Sequence, residues 1–158
     1  TDTKEIGGFF VSTYEYIFRW LIRGDTLCEV TIPDESKIYK TVSENGIYLS
    51  EKMILTNPIK IDDDVAMELY LNSNLPHEAY FEAMAACAIM GYISTAIKVC
   101  EDKVNKENID IAIIKFENFC KRREEENYIY DPFNIESVKL LYTKLKAMKN
   151  ELIILEWW

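Results

Sequence analysis

Hydrophobic and polar positions divide the chain into two stretches with different periods. Up to about residue 61, short apolar runs are separated by turn-forming residues, a pattern that favours strands. From residue 62 onward, apolar residues recur at every third or fourth position, which predicts amphipathic helices. The pattern predicts an α+β fold: a small N-terminal β-rich layer with one capped helix, followed by an antiparallel helical array.

The β-rich module is predicted to occupy residues 1–61. Ser12 and Glu15 fit a capping box at the start of its helix, and Gly24 is expected to end that helix in a left-handed conformation. The pair Asn57-Pro58 is expected to close the last strand. The predicted strands, of which the first is expected to be buried, cover residues 9–11, 26–32, 38–42 and 52–56.

Residues 62–126 are predicted to form helical hairpins packed on this module, and residues 127–158 a C-terminal helix with an apolar tail, all in one compact unit. Asp62-Asp63-Asp64 suits a helix N-terminus better than a cation site, because consecutive carboxylates do not converge on one point. Pro76 is expected to open the next helix and Gly91 to stop it. The turn at Gly91 is loosely similar to an ankyrin-type hairpin, of which one copy is visible.

Composition narrows the classes of function. The 158 residues carry a net charge of −9, which argues against a general nucleic-acid binder; an acidic surface can attract a basic patch of a protein, but it is also common in soluble domains without such a role. No apolar run is long enough to span a membrane, so a membrane partner is not expected, and we expect a cytoplasmic protein of a bacterium or host cell. The four cysteines, Cys28, Cys87, Cys100 and Cys120, have no metal-binding spacing and are predicted to be reduced. The last three lie on apolar helical stripes, where cysteine behaves as a small buried hydrophobic residue.

A family resemblance rests on the stretch GGFF…RWLIRGD-LCEVTIP…KMILTNP. It resembles an uncharacterised domain found N-terminal in giant-virus ankyrin-repeat proteins and in related bacterial and phage proteins. The frequent isoleucine, lysine and tyrosine agree with an AT-rich bacterium, phage or virus. The resemblance implies a strand–helix–strand module and no activity. The matching residues are Gly7, Gly8, Phe9, Phe10, Trp20, Leu21, Gly24, Glu29, Val30, Ile32, Pro33, Lys52, Ile54 and Leu55.

A second resemblance is to the C-terminal half of ADP-ribosyltransferases of the Arg–Ser–Glu type. Ser12-Thr13 is similar to the strand end that holds the nicotinamide pocket, and Glu51 to the glutamate that stabilises a cationic sugar transition state. Tyr14 stands where that family has a further serine. The resemblance implies NAD as cofactor and Ser12, Thr13 and Glu51 as catalytic residues. Otherwise neither a cofactor nor a metal is expected, and His77 lacks a nucleophile at readable spacing.

The leading hypothesis is a non-catalytic protein-interaction module of a virus, phage or AT-rich bacterium. Arginine and tryptophan are typical interface anchors, and the candidates of these types that would bind a partner are Arg19, Trp20, Arg23, Trp157 and Trp158. An acidic inhibitor that mimics nucleic acid through Asp62–Asp64 and Glu124–Glu126 is a further alternative. The sequence leaves a homo-oligomer open.

Overall fold

The computed structural model describes residues 8–41, 46–126 and 131–157, with side chains as far as Glu151. Strands come first and helices follow, so the predicted α+β fold is confirmed. The strands are β1 (Phe9–Ser12), β2 (Thr26–Thr31), β3 (Ile38–Lys40), β4 (Ile47–Ser50) and β5 (Ile54–Lys60). The helices are a 3₁₀ helix (Tyr14–Arg23), α1 (Asp63–Leu71), α2 (Ala79–Met90), α3 (Ile93–Lys103), α4 (Ile109–Glu125), a short 3₁₀ turn (Pro132–Asn134) and α5 (Glu136–Trp157).

One antiparallel sheet has the strand order β1-β4-β3. Its central strand β4 was absent from the sequence prediction, although Ile47 and Leu49 alternate with polar neighbours and are buried. The prediction of a buried first strand is wrong. Phe9 and Phe10 of β1 are 51% and 73% exposed, and among the described strands β1 is an edge strand that pairs only with β4.

Strands β2 and β5 form a separate two-stranded antiparallel sheet that is mostly exposed. The predicted end of the last strand at Asn57-Pro58 is wrong, because β5 runs through both residues to Lys60. The register shifts between Leu27 and Glu29, so two residues of β5 face one residue of β2 in a β-bulge. Asn57 adopts the left-handed conformation of this bulge, with φ 50°, and donates from Nδ2 to Glu29 Oε2 at 2.9 Å.

The segment after β1 is a 3₁₀ helix of ten residues, and its predicted caps are wrong. Thr13 is the residue before the helix and makes no side-chain capping bond, while the hydroxyl of Ser12 donates to the Thr13 carbonyl oxygen at 3.0 Å. Gly24 has an extended φ of 175°, so it does not end the helix in a left-handed conformation. With three residues per turn, side chains three positions apart lie above one another along this helix.

The hydrophobic core surrounds α2, in which ten of twelve residues are buried. Its alanines let the 3₁₀ helix, α3 and α4 approach closely, and Phe18 and Leu21 of the 3₁₀ helix join the core with these helices. Gly91 ends α2 at φ +85°, as predicted. The cysteines of the helices are buried as predicted, and all four cysteines are free.

Several helix boundaries differ from the prediction. Helix α2 begins at Ala79, after a turn in which the backbone amide of Ala79 donates to the carbonyl of Pro76 at 3.0 Å. His77 therefore lies before the helix, where its ring packs edge-on against Phe81 at 5.5 Å. Helix α5 continues to Trp157, so the tail is helical up to that residue.

The aspartate triplet serves helix ends, as predicted. The Asp62 carboxylate accepts a hydrogen bond from the Val65 amide at 2.9 Å and caps α1. The Asp63 carboxylate accepts hydrogen bonds from the amides of Ser94 and Thr95 in the first turn of α3. Among the described residues no group of histidine, cysteine or acidic side chains is arranged to hold a metal ion. Within the same ranges, no helix has the length and apolar content required to span a membrane.

Candidate functional site

The candidate site is a cleft of about 620 Å³ between the β1-β4-β3 sheet, the 3₁₀ helix and the base of the β2–β5 sheet, called the groove below. Its volume lies in the range of known ligand sites, and most of its lining is apolar. The lining residues are Phe10, Val11, Ser12, Ile17, Trp20, Leu21, Arg23, Gly24, Thr26, Leu27, Thr41, Ile47 and Ile61.

The floor of the groove is one row of residues across the sheet. Ser12 on β1 lies opposite Ile47 on β4. On the other side of β4, the backbone amide of Thr41 donates a hydrogen bond to the carbonyl of Ile47 at 3.2 Å. Both hydroxyls of this row donate to backbone carbonyls, Ser12 to Thr13 at 3.0 Å and Thr41 to Ile47 at 3.1 Å. The row therefore has an apolar centre, Ile47, between two hydroxyl groups that already donate hydrogen bonds within the protein.

One wall of the groove comes from the three-residue period of the 3₁₀ helix. Ile17, Trp20 and Arg23 follow one another at this interval, and all three line the groove. Phe18 and Leu21 form the next column, which is buried in the core. All three residues of the first column line the groove, whereas of the second column only Leu21 does.

The electrostatic character of the groove comes from Arg23. It is the one ionisable side chain among the described residues that line the groove, although the whole chain is acidic. Its guanidinium carbon lies 5.6 Å from the centroid of the Trp20 ring, within the range of a cation–π interaction. A positive group beside an apolar surface favours ligands that combine apolar and anionic parts.

Trp20 contributes a buried polar group to the wall of the groove. Its indole N–H is buried and has no hydrogen-bond partner among the described residues. Such a donor costs about 1–3 kcal/mol when it is left without a partner.

The structure brings together only some of the predicted site residues. Trp20 and Arg23 line the groove, whereas Arg19 does not: its guanidinium lies 5.8 Å from the Trp20 ring centroid and 4.0 Å from Glu82 of α2. Glu82 also pairs with Arg122 of α4 at 3.3 Å, so this cluster joins the 3₁₀ helix to the helical array. The side chain of Trp157 and all of Trp158 lie outside the described residues.

The residues of the ADP-ribosyltransferase resemblance lie at two ends of the sheet. Ser12 lies opposite Ile47 at the start of β4 and lines the groove, while Glu51 follows the other end of β4 and is exposed. Four residues of extended strand separate these ends by about 13 Å. Of these two residues, only Ser12 lines the groove.

Sequence reasoning missed Phe10, Thr41 and Ile47 as site residues. Phe10 at the rim of the groove is 73% exposed, and it was interpreted as part of a buried strand. The signal for the floor was present, because Ile47 and Leu49 alternate with polar residues after a glycine turn. Gly46 adopts φ +75° and packs against the Tyr16 ring, where an added Cβ would lie 2.1 Å from a ring carbon.

Comparisons with protein-family models, with curated proteins and with solved structures give no match for this chain.

Proposed function

We propose that the protein is a non-catalytic interaction module that binds an extended segment of a partner protein in the groove. The segment carries apolar side chains and at least one carboxylate. The observation that carries the proposal is the position of Arg23, the single charge of the described lining, beside Trp20 and above an apolar floor. This agrees with the expectation of a protein partner for a virus, phage or AT-rich bacterium.

Size and charge favour a peptide segment as the occupant. The groove is an open cleft lined on one side by β1, and an open cleft accepts a chain that enters and leaves again. Aromatic and arginine side chains are the usual energetic centres of such contacts. Arg23 can form two parallel hydrogen bonds with a carboxylate, which supplies selectivity for acidic segments.

The two alternatives have less support. An NAD-dependent transferase would need Ser12 and Glu51 near one another, and they lie about 13 Å apart along the sheet. Mimicry of nucleic acid would need free carboxylates, and those of Asp62 and Asp63 accept bonds from helix amides. The resemblance to the N-terminal domain of giant-virus ankyrin-repeat proteins is compatible with the interaction module and remains a proposal.

The test is selection of peptides from a displayed library of random ten-residue sequences against the purified protein. We expect enrichment of sequences that combine aromatic or aliphatic residues with aspartate or glutamate. In Arg23→Glu the preference should change to lysine or arginine, because the charge in the groove is reversed. Lys37→Glu is the matched control, since Lys37 is exposed outside the groove and the change in net charge is the same.

Two results would contradict the proposal. One is a library without enriched sequences. The other is the same enriched set for the parent protein and for Arg23→Glu. A second copy of the chain as the occupant would instead appear in sedimentation as a dimer that Arg23→Glu dissociates, and it would also exclude a separate partner protein.

A further inference from the structure

The free edge of β1 borders the groove, and the register of the sheet shows which backbone groups point outward. In an antiparallel pair, alternate residues exchange hydrogen bonds with the neighbouring strand. The Thr13 amide donates to the Gly46 carbonyl at 2.9 Å, which continues the register in which Val11 lies opposite Tyr48. Thr13, Val11 and Phe9 therefore direct their amide and carbonyl groups toward β4.

The residues between them direct these groups the other way. The backbone N–H and C=O groups of Phe10 and Ser12 point away from β4, and in the described part of the chain β1 pairs with no other strand. Both residues line the groove, together with Val11 between them. Within the described residues, the outward backbone groups of Phe10 and Ser12 thus have no partner strand, and both residues border the groove.

The bonding pattern of β4 confirms this assignment. The Thr41 amide donates to the Ile47 carbonyl, so Ile47 and Leu49 bond toward β3. Tyr48 and Ser50 consequently bond toward β1, opposite Val11 and Phe9. Both neighbours of β4 give the same alternation.

We infer that the partner segment binds as an additional antiparallel strand on the free edge of β1. This inference rests on the proposed function and specifies how the segment is held. In antiparallel pairing, residues opposite Phe10 and Ser12 exchange two backbone hydrogen bonds with them and place their side chains on the same face. The residues of the partner segment whose side chains face the groove are therefore the same residues that form backbone hydrogen bonds with β1.

The experiment uses the tightest peptide from the library selection, prepared with a single N-methyl group at each position in turn and, separately, with a single alanine at each position. Isothermal titration calorimetry gives the dissociation constant of each peptide. We expect N-methylation to weaken binding by about tenfold or more at every second position, because each loses a backbone donor. Alanine should weaken binding at the same positions.

The two scans separate the possible outcomes. Weakening by N-methyl and alanine at the same alternate positions supports antiparallel addition. Weakening at opposite positions indicates parallel pairing, and N-methylation without any alternation indicates binding by side chains alone; either result overturns the inference while the proposed function stands. If no peptide binds, the proposed function fails, and the inference fails with it.

A pair of variants tests the protein side. Phe10→Pro removes the outward N–H while keeping the bonds between β1 and β4, and proline is tolerated on an edge strand with this orientation. Phe10→Ala removes the side chain and keeps the N–H. We expect Phe10→Pro to weaken binding at least about fivefold more than Phe10→Ala. Equal binding by both variants, with unchanged circular dichroism spectra, would overturn the inference.

Discussion

Asp63 and Thr95 fasten the start of α1 to the start of α3. The Asp63 carboxylate accepts hydrogen bonds from the Thr95 amide at 2.9 Å, from the Thr95 hydroxyl at 2.7 Å and from the Ser94 amide at 2.8 Å. Thr95 is completely buried. Asp63 is the first residue of α1, so one side chain caps a second helix that is 31 residues away in sequence.

Replacing Asp63 by alanine should lower the free energy of unfolding by about 2–3 kcal/mol. The amides of Ser94 and Thr95 lose their acceptor, and the buried Thr95 hydroxyl loses one of its two acceptors and keeps the Asp63 carbonyl. Urea denaturation followed by circular dichroism measures the change. Asp64→Ala is the control. Asp64 is exposed in the same triplet, and its replacement should change stability by less than about 0.5 kcal/mol. Equal effects of the two substitutions would contradict the assigned cap.

The stability of the fold should fall in acid partly through Asp63. Burial raises the pKa of this carboxyl, but hydrogen bonds from Thr95 and Ser94 outweigh it and hold the pKa below its usual 3.8. A group whose pKa is lower in the folded state stabilises it above the unfolded pKa and loses that contribution as pH falls. Between pH 5 and pH 2 the parent should therefore lose more stability than Asp63→Asn. Parallel losses in the two proteins would contradict the role of the ionised carboxylate.

The four cysteines should differ in their reaction with a thiol reagent. Burial raises the pKa of the Cys100 thiol to about 11 and that of the Cys120 thiol to about 12, and burial also raises the pKa of Cys87. A thiol that is buried and protonated is a poor nucleophile. Cys28 on β2 is half-buried. With Ellman's reagent at pH 8, we expect one equivalent to react in the native protein and four in the unfolded protein.

The Cys28→Ser variant identifies the reacting group. Its native form should show no fast equivalent, and its unfolded form should show three. A fast equivalent that persists in Cys28→Ser would place an accessible thiol on one of the helices and contradict the packing around α2.

The bulge in β5 should tolerate glycine and reject branched residues at position 57. Asn57 has φ 50°, a conformation that costs a β-branched residue about 1–2 kcal/mol. Asn57→Val should therefore lower stability by about that amount, and Asn57→Gly should leave it within about 0.5 kcal/mol, since the lost bond to Glu29 is exposed. Thermal unfolding of the two variants provides the comparison. If both are destabilised equally, the side chain of Asn57 rather than its backbone conformation supports the bulge.

Local sequence patterns predicted the helix ends and buried helical positions that depend on interactions between residues within a few positions of one another. The cap at Asp62 and the left-handed stop at Gly91 depend on residues within one helical turn, and both predictions are confirmed. The buried positions of Cys87, Cys100 and Cys120 follow from the helical spacing of their apolar neighbours. Capping at Ser12 and Gly24 failed because the segment between them is a 3₁₀ helix with different end geometry.

The candidate site was only partly predicted, and the period of one helix explains why. In an α-helix, Arg19 and Arg23 would share a face because they are four residues apart. In the 3₁₀ helix both arginines lie near the Trp20 ring, but only Arg23 lines the groove with Trp20, while Arg19 lies 4.0 Å from Glu82. The composition of the segment identified the right residue types, but the pitch of the helix decided which of them lie together.

The sequence by itself determined that strands precede a helical array, the helix ends at Asp62 and Gly91 and the apolar positions of the helical core, because these depend on neighbours a few residues apart. The groove depended on tertiary structure. Ser12, Ile47 and Thr41 became its floor only when three strands paired in one register, and Trp20 and Arg23 became its wall only when the 3₁₀ helix packed on α2. The pairing of Ser12 with Ile47, 35 residues apart, depends on many contacts made along both strands and in the core. A short stretch of sequence therefore does not predict it.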